Sequence, residues 1–357
     1  MADLLQVRGL KVELPTPAGW IRPVNEVSLR IAAGESLGLV GESGSGKTMM
    51  ALALMGLLPV GARVSGEAIL SDDARTNRRA SAVGGTSLAP TNSAGTSRNS
   101  ADTNLTGLTE RGWRDVRGRE IAMVFQEPMT ALNPVMRIGA QIEEAIRAHG
   151  TDLDAGEVWR RTLEALQRAA VPEPESRAEQ FPHQLSGGLR QRAMIAMALA
   201  GGPRLLIADE PTTALDVTVQ KQILDLLDRL RRELELGLLF ITHDLGVVAQ
   251  VADRVAVMYA GRIVEEGPAQ EVLRAPRHPY TQGLLAASPT LERGKLRPIP
   301  GTVPQLTALP PGCAFEPRCA LRVAECVRAV PDLRIAKHAV PLNDAASQIH
   351  VARCILV

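Results

Sequence analysis

Gly41, Glu42, Ser43, Gly44, Ser45, Gly46, Lys47 and Thr48 follow one another in this chain, and their types and order suit the holding of a phosphate. The glycines let the backbone curl until successive N–H groups point at one anion. A helix starting at the same place adds the positive end of its dipole. Lys47 is spaced to reach β- and γ-phosphates, and the Thr48 hydroxyl to bind Mg²⁺. A bare pattern of this kind arises by chance in on the order of one chain in a hundred. Here an apolar run, Ser36-Leu37-Gly38-Leu39-Val40, precedes it, and Met49-Met50-Ala51-Leu52-Ala53-Leu54-Met55 follows. Strand, glycine turn and helix argue for a phosphate-binding loop over a surface loop.

Other residues supply what phosphoryl transfer needs. Asp209 ends the apolar run Leu205-Leu206-Ile207-Ala208 and is suited to the Mg²⁺ shell. Glu210, next to it, is suited to polarise an attacking water. Gln126 follows residues 120–125 (Glu-Ile-Ala-Met-Val-Phe), which read as a strand, and from its end would reach the metal and the water. His243 ends another apolar run, 238–242, from where it would touch the γ-phosphate. A single histidine at a strand end is more often structural, so His243 takes its assignment from the company it keeps.

The elements that must position these residues are legible in outline. Residues 4–14 and 24–31 alternate apolar and polar side chains, as antiparallel strands with one wet face do, with a turn at 15–19. Residues 66–70 read as another strand. The β-α-β alternation from 205 to 242 predicts a mostly parallel sheet covered on both faces. A hairpin around Ala260 and Gly261 follows. Helical periodicity dominates from 138 to 170, within a helical subdomain of about 130–185. Residues 71–106 are rich in Ser, Thr, Asn, Ala, Gly and Arg and nearly free of large apolar side chains. Such a segment cannot offset its ordering entropy and reads as a disordered insertion, with a functional flexible arm as the alternative.

Length, 357 residues, allows one large domain and a smaller one, or two domains. The resulting fold class is α/β: a P-loop core, an antiparallel β-subdomain and a helical subdomain over residues 1–267. A small irregular extension over 268–357 carries all the cysteines. A net charge of +1 offers no basic face for nucleic acid. The start, Met1-Ala2-Asp3-Leu4, has neither a basic region nor a long apolar one. The longest apolar run, 49–60, is too short for a bilayer. The expectation is a cytoplasmic protein able to sit on a membrane partner.

Together the motifs resemble the nucleotide-binding subunit of ABC transporters. Residues 41–48 match the Walker A loop, Gln126 the Q-loop, residues 185–191 (Leu-Ser-Gly-Gly-Leu-Arg-Gln) the signature, and 205–209 with Glu210 the Walker B strand. Ala214-Leu215-Asp216 matches the D-loop and His243 the switch histidine, all in the family's order. The resemblance implies ATP and Mg²⁺ as cofactors and a head-to-tail dimer of two such domains. ATP would lie between residues 41–48 of one subunit and the signature of the other, with Ser186, Gly187, Gly188 and Gln191, and Asp216 of the D-loop would also bind the nucleotide. Glu210, His243, Gln126 and Lys47 would carry hydrolysis, with Thr48, Gln126 and Asp209 on Mg²⁺. One departure stands out. Where the family has an aromatic against adenine, the aligned residue is Leu14, and the nearest aromatic is Trp20.

Within the extension, the run from His278 to Leu285 and the run Pro310-Pro311-Gly312-Cys313-Ala314-Phe315-Glu316-Pro317-Arg318-Cys319 are similar to the oligopeptide/dipeptide importer ATPases. Relatives there handle nickel or glutathione. The resemblance implies a second ATPase subunit (a paralogue or a second copy), two membrane permease subunits and an extracytoplasmic substrate-binding protein. The subunit would sit peripherally on the cytoplasmic face. A non-transport ABC ATPase is the remote alternative, disfavoured by the single cassette. Cys313, Cys319, Cys326 and Cys354 lack a Cys-x-x-Cys knuckle, and their wide spacing suits a [4Fe–4S] cluster better than zinc. Free or disulfide-bonded thiols remain the third reading.

Overall fold

The structure is a computed structural model that describes residues 3–72, 102–150, 152–213, 215–288, 297–335 and 349–357. In chain order its strands are β1 (Asp3–Thr16), β2 (Gly19–Ala32), β3 (Ser36–Val40), β4 (Arg63–Leu70), β5 (Thr103–Asn104) and β6 (Ile121–Val124). Then come β7 (Leu205–Asp209), β8 (Gly237–Thr242), β9 (Arg254–Tyr259), β10 (Arg262–Pro268), β11 (Arg334–Ile335) and β12 (Val351–Ala352). Two compact units share them. The first comprises Met1–Gln6, Arg30–Glu35 and Ala68–Leu238; the second Val7–Leu29, Ser36–Glu67 and Leu239–Val357.

In the first unit β6 and β7 pair in parallel, Ile121 opposite Leu205 through Val124 opposite Ala208. Both are buried along their whole length, which explains their apolar sequences up to Asp209 at the end of β7. At their beginnings the Arg204 Nε donates to Glu120 Oε2 at 2.9 Å, and a terminal nitrogen donates to the Ser71 carbonyl at 2.6 Å. Burial pulls the Arg204 guanidinium below its ordinary pKa, but the two acceptors keep it bound in place. Helices Ile138–Arg147, Ala155–Arg168, Pro174–Ala178 and Gly187–Leu199 pack on one another and form the helical part of this unit. Asp154 caps the second of them, accepting from the Glu157 N–H at 2.9 Å. Helix Val217–Glu233 buries Ile223, Leu227 and Leu230 along one stripe and ends on Arg231 and Arg232, the charge its dipole favours.

Residues 73–101, most of the stretch read as an insertion, lie outside the described residues. Within its remainder, Thr103 and Asn104 form β5 opposite Leu70 and Ile69, and Leu105 is buried. Composition hid this pairing, because a two-residue strand with one buried leucine leaves no periodic signal.

In the second unit β3 pairs in parallel with β9, Leu37 opposite Arg254 and Val40 opposite Val257. The order runs β11, β12, β10, β9, β3, with the end of β8 on the far side of β3. β9 and β10 form the expected hairpin, with Ala260 (φ 45°) and Gly261 (φ 86°) both left-handed in its turn. β1 and β2 are neighbours joined by two residues, which forces them antiparallel.

The C-terminal residues complete this unit. β12 pairs with β10, Ala352 opposite Glu265. Both tyrosines of the chain, Tyr259 and Tyr280, meet with ring centroids 4.5 Å apart, and Phe315 lies 5.3 and 5.4 Å from them. The carboxylate of Glu265, fully buried, accepts from the N–H groups of Arg277 (2.6 Å) and His278 (2.9 Å) and lies 2.7 Å from His350 Nε2. Among the described residues no helix is long and apolar enough to cross a membrane.

Candidate functional site

β3 delivers the chain into the loop of residues 41–48, and helix Lys47–Leu54 takes it away. The loop closes on itself through Ser45 N–H to the Glu42 carbonyl at 3.2 Å. It is tied to the hairpin turn through Gly261 N–H to the Ser45 carbonyl at 2.9 Å. Gly46 adopts φ 108°, and a Cβ there would stand 1.9 Å from the Pro23 carbonyl oxygen. Only glycine fits.

The Lys47 side chain, 5% exposed, turns back onto the loop. Its Nζ donates to the carbonyls of Gly41 (2.7 Å) and Glu42 (3.1 Å) and to Ser45 Oγ (3.4 Å). Ser43, Gly44 and Thr48 are exposed around it. A buried ammonium beside a helix N-terminus makes a concentrated positive site, the electrostatics an anionic ligand requires.

Two residues that sequence reasoning did not assign to the loop also hold it. The Glu42 N–H donates to Tyr280 Oη at 2.8 Å, and Arg318 donates to both Glu42 carboxylate oxygens at 2.7 and 3.1 Å. Both lie in stretches that the sequence marks as distinctive of the importer group. Neither stretch carries a local signal of contact with residue 42.

His243 belongs to the same unit. It is exposed just after β8, and Asp244 beside it accepts from the Gly246 N–H at 2.7 Å, capping helix Leu245–Val251. Leu14 is half-buried, and Trp20 has the Arg63 guanidinium 4.1 Å from its ring centroid. One face of the nearest aromatic is thus already covered by an arginine.

The first unit brings Gln126 and Glu210 together. Gln126, exposed two residues past β6, donates through Nε2 to Glu210 Oε2 at 3.2 Å, and Thr213 Oγ1 donates to the same oxygen at 2.9 Å. Glu210 has φ 45°, uncommon for a residue with a side chain, directly after the buried Asp209 that ends β7. Backbone strain of this sort costs on the order of 1–3 kcal/mol and persists where surroundings or function fix it.

Ser186 caps helix Gly187–Leu199, accepting from the Leu189 N–H at 3.4 Å. Gly188 lies against helix Val217–Glu233, where a Cβ would stand 2.7 Å from Val219 Cγ1. Gln191 is buried one turn on. Asp216 accepts from the N–H groups of Thr218 (3.0 Å) and Val219 (2.9 Å), so its carboxylate caps that helix. Ala214 lies outside the described residues.

Cys313, Cys319, Cys326 and Cys354, the metal ligands expected from the sequence, lie in the second unit. Among the described residues no group of three or more His, Cys, Asp or Glu side chains is arranged to hold a metal ion. All four cysteines are free and line one small cavity, with Phe315, Pro331 and Leu356 among its walls. Burial pushes the Cys313 thiol up to about 11 and raises Cys319 and Cys354 as well.

Residues 24–213 match the family described as ABC transporter, and residues 264–326 the oligopeptide/dipeptide transporter C-terminal region. A Brucella ovis protein named for peptide import and ATP binding is 47% identical over 363 residues, covering 99% of this chain and 96% of its own. A similarly named Brucella melitensis protein is 48% identical over 364 residues, with the same coverage. The dimeric ATP-binding cassette MJ0796, solved with ADP and Pi after hydrolysis, superposes with a TM-score of 0.59 at 25% identity, over 74% of this chain and 98% of that one. The chain belongs to the ABC transporter family and is one of its ATPase cassettes. Its C-terminal region places it in the oligopeptide/dipeptide branch.

Proposed function

We propose that this cassette energises import of di- or oligopeptides, with ATP hydrolysed at residues named above. The observation that carries the catalytic reading is the Glu210 carboxylate, held by Gln126 and Thr213 on a strained backbone at the end of β7. In that reading Lys47 and the N–H groups of residues 41–48 bind the phosphates. Thr48, Asp209 and Gln126 hold Mg²⁺, Glu210 orients the attacking water, and His243 meets the γ-phosphate. Ser186, Gly187, Gly188 and Gln191 face the nucleotide of a second cassette, a copy or a paralogue, and Asp216 adds to nucleotide binding. The dimeric state of MJ0796 supports this arrangement.

The names of the Brucella relatives support peptides as cargo. The cassette would work on the cytoplasmic face with two permease subunits and a substrate-binding protein. Replacing Glu210→Gln in the assembled transporter should leave ATP binding intact and lower phosphate release by a factor on the order of a hundred or more. Unchanged turnover would sink the catalytic assignment. Mass analysis of the ligand carried by the purified complex should find peptide; nickel or glutathione in its place would redirect the cargo reading.

For the cysteines, the reading is a [4Fe–4S] cluster in the cavity that all four line. The donor set, three thiols from the segment 313–326 and one from the segment at 354, supports it. The cluster would tie those segments together when bound. Protein purified without oxygen should absorb near the cluster's visible band and contain iron. Folded protein without iron under those conditions would overturn this reading.

A further inference from the structure

Glu42 is the point at which two distant stretches of chain reach the phosphate loop. Its N–H donates to Tyr280 Oη at 2.8 Å, across 238 positions. Its carboxylate takes both arms of the Arg318 guanidinium, at 2.7 and 3.1 Å, across 276 positions. Its carbonyl accepts from Lys47 Nζ at 3.1 Å. The backbone amide, the side chain and the carbonyl of one residue are therefore all engaged, two of the three by the C-terminal region.

That region holds both residues firmly. Tyr280 is fully buried against Tyr259 and Phe315. The Arg318 side chain is 4% exposed, its Nε donates to the Pro300 carbonyl at 2.9 Å, and one arm also lies 3.4 Å from Tyr259 Oη. A bidentate guanidinium–carboxylate pair fixes direction as well as distance. As a source of stability alone a half-buried pair is a weak device, since desolvation offsets much of the attraction. As a way to fix the curl of a loop it is efficient, because a preorganised site loses less on binding its ligand.

We propose that Arg318 and Tyr280 are positioning residues of the phosphate loop: by holding Glu42 they fix the carbonyl on which Lys47 rests, so the C-terminal region sets the affinity for ATP. This rests on the reading that residues 41–48 bind the nucleotide. In this role each acts through Glu42 and not by contact with the nucleotide. Loss of either loosens the loop, and binding then includes the work of ordering it.

Titration calorimetry of the full-length chain with Mg-ATP tests this, alongside steady-state kinetics of the assembled transporter. Arg318→Gln should weaken ATP binding by about tenfold, and Tyr280→Phe, which removes a single oxygen, by about threefold. KM for ATP should rise while kcat holds. Arg318→Lys should recover only part of the loss, because an ammonium cannot make both bonds in this geometry. Glu42→Gln added to Arg318→Gln should cost less than Glu42→Gln alone, as expected for partners in one interaction.

Lys47→Ala serves as the control. If it abolishes binding while Arg318→Gln and Tyr280→Phe leave ATP affinity unchanged, the proposal is overturned, even if their Tm falls. If Lys47→Ala binds ATP normally, the nucleotide reading of the loop fails, and the proposal with it. Should Arg318→Gln not fold, Tyr280→Phe decides: weaker ATP binding supports the proposal and unchanged binding overturns it.

Discussion

Gly46 leaves its position no choice of residue. Its φ of 108° is one that side chains rarely adopt, and the Pro23 carbonyl occupies the space of a Cβ. Gly46→Ala should therefore remove ATP binding and lower Tm together; an alanine variant with normal calorimetric titration would contradict this geometry. His278 makes a different prediction. Burial drops its pKa from about 6.5 to about 4, so it is neutral in the folded protein, where its Nδ1 accepts from the Tyr280 N–H at 3.0 Å. Between those values the unfolded chain binds a proton that the folded one refuses. The stability at stake, on the order of 3 kcal/mol, is complete above pH 6.5 and is lost as the pH falls towards 4. His278→Asn keeps an acceptor for the helix start and removes the titration. Its Tm should fall less than the wild type's between pH 7.5 and 4.5, and parallel profiles would refute the assignment.

Among the elements, the helix following Ser186 depends on close approach to its neighbour. A methyl group at Gly188 would meet Val219 Cγ1 at 2.7 Å, within a few residues of the carboxylate cap made by Asp216. Gly188→Ala should destabilise the chain by about 1–3 kcal/mol in denaturant unfolding, and Val219→Ala should restore part of that loss. An additive double variant would show the two helices to be less tightly packed than they are here. At this scale much was legible in advance. The run 36–40, the glycine turn and the following helix are local in sequence and read directly. The same holds for the apolar strand ending at Asp209. β5 was not legible, because its partners Ile69 and Leu70 lie more than thirty positions back and its own residues carry no pattern.

For the molecule as a whole, the C-terminal residues belong to the unit that holds the phosphate loop. β12 adds to β10, Glu265 gathers the N–H groups of Arg277 and His278 together with His350, and Tyr280 and Phe315 pack on Tyr259. A chain ending at Gly267 would lose these donors, the β12 pairing and the packing of Tyr280 and Phe315 on Tyr259, and would expose core side chains to water. Such a chain should lose the cooperative melting of the full protein; an unchanged Tm would show the extension to be dispensable.

Residue types and their spacing alone determined the chemistry of this chain: a phosphate loop, a strand-end acid pair, a serine-glycine helix start and a set of C-terminal cysteines. These signals are local, because hydrophobic period, caps and glycine turns act within a few residues. Tertiary structure decided which distant groups meet. Gln126 reaches Glu210 across 84 positions, and Tyr280 and Arg318 converge on Glu42 across more than two hundred. Four cysteines with no knuckle spacing come to line one cavity. No periodicity encodes such meetings, since they follow from strand order and side-chain packing, which only the folded chain sets.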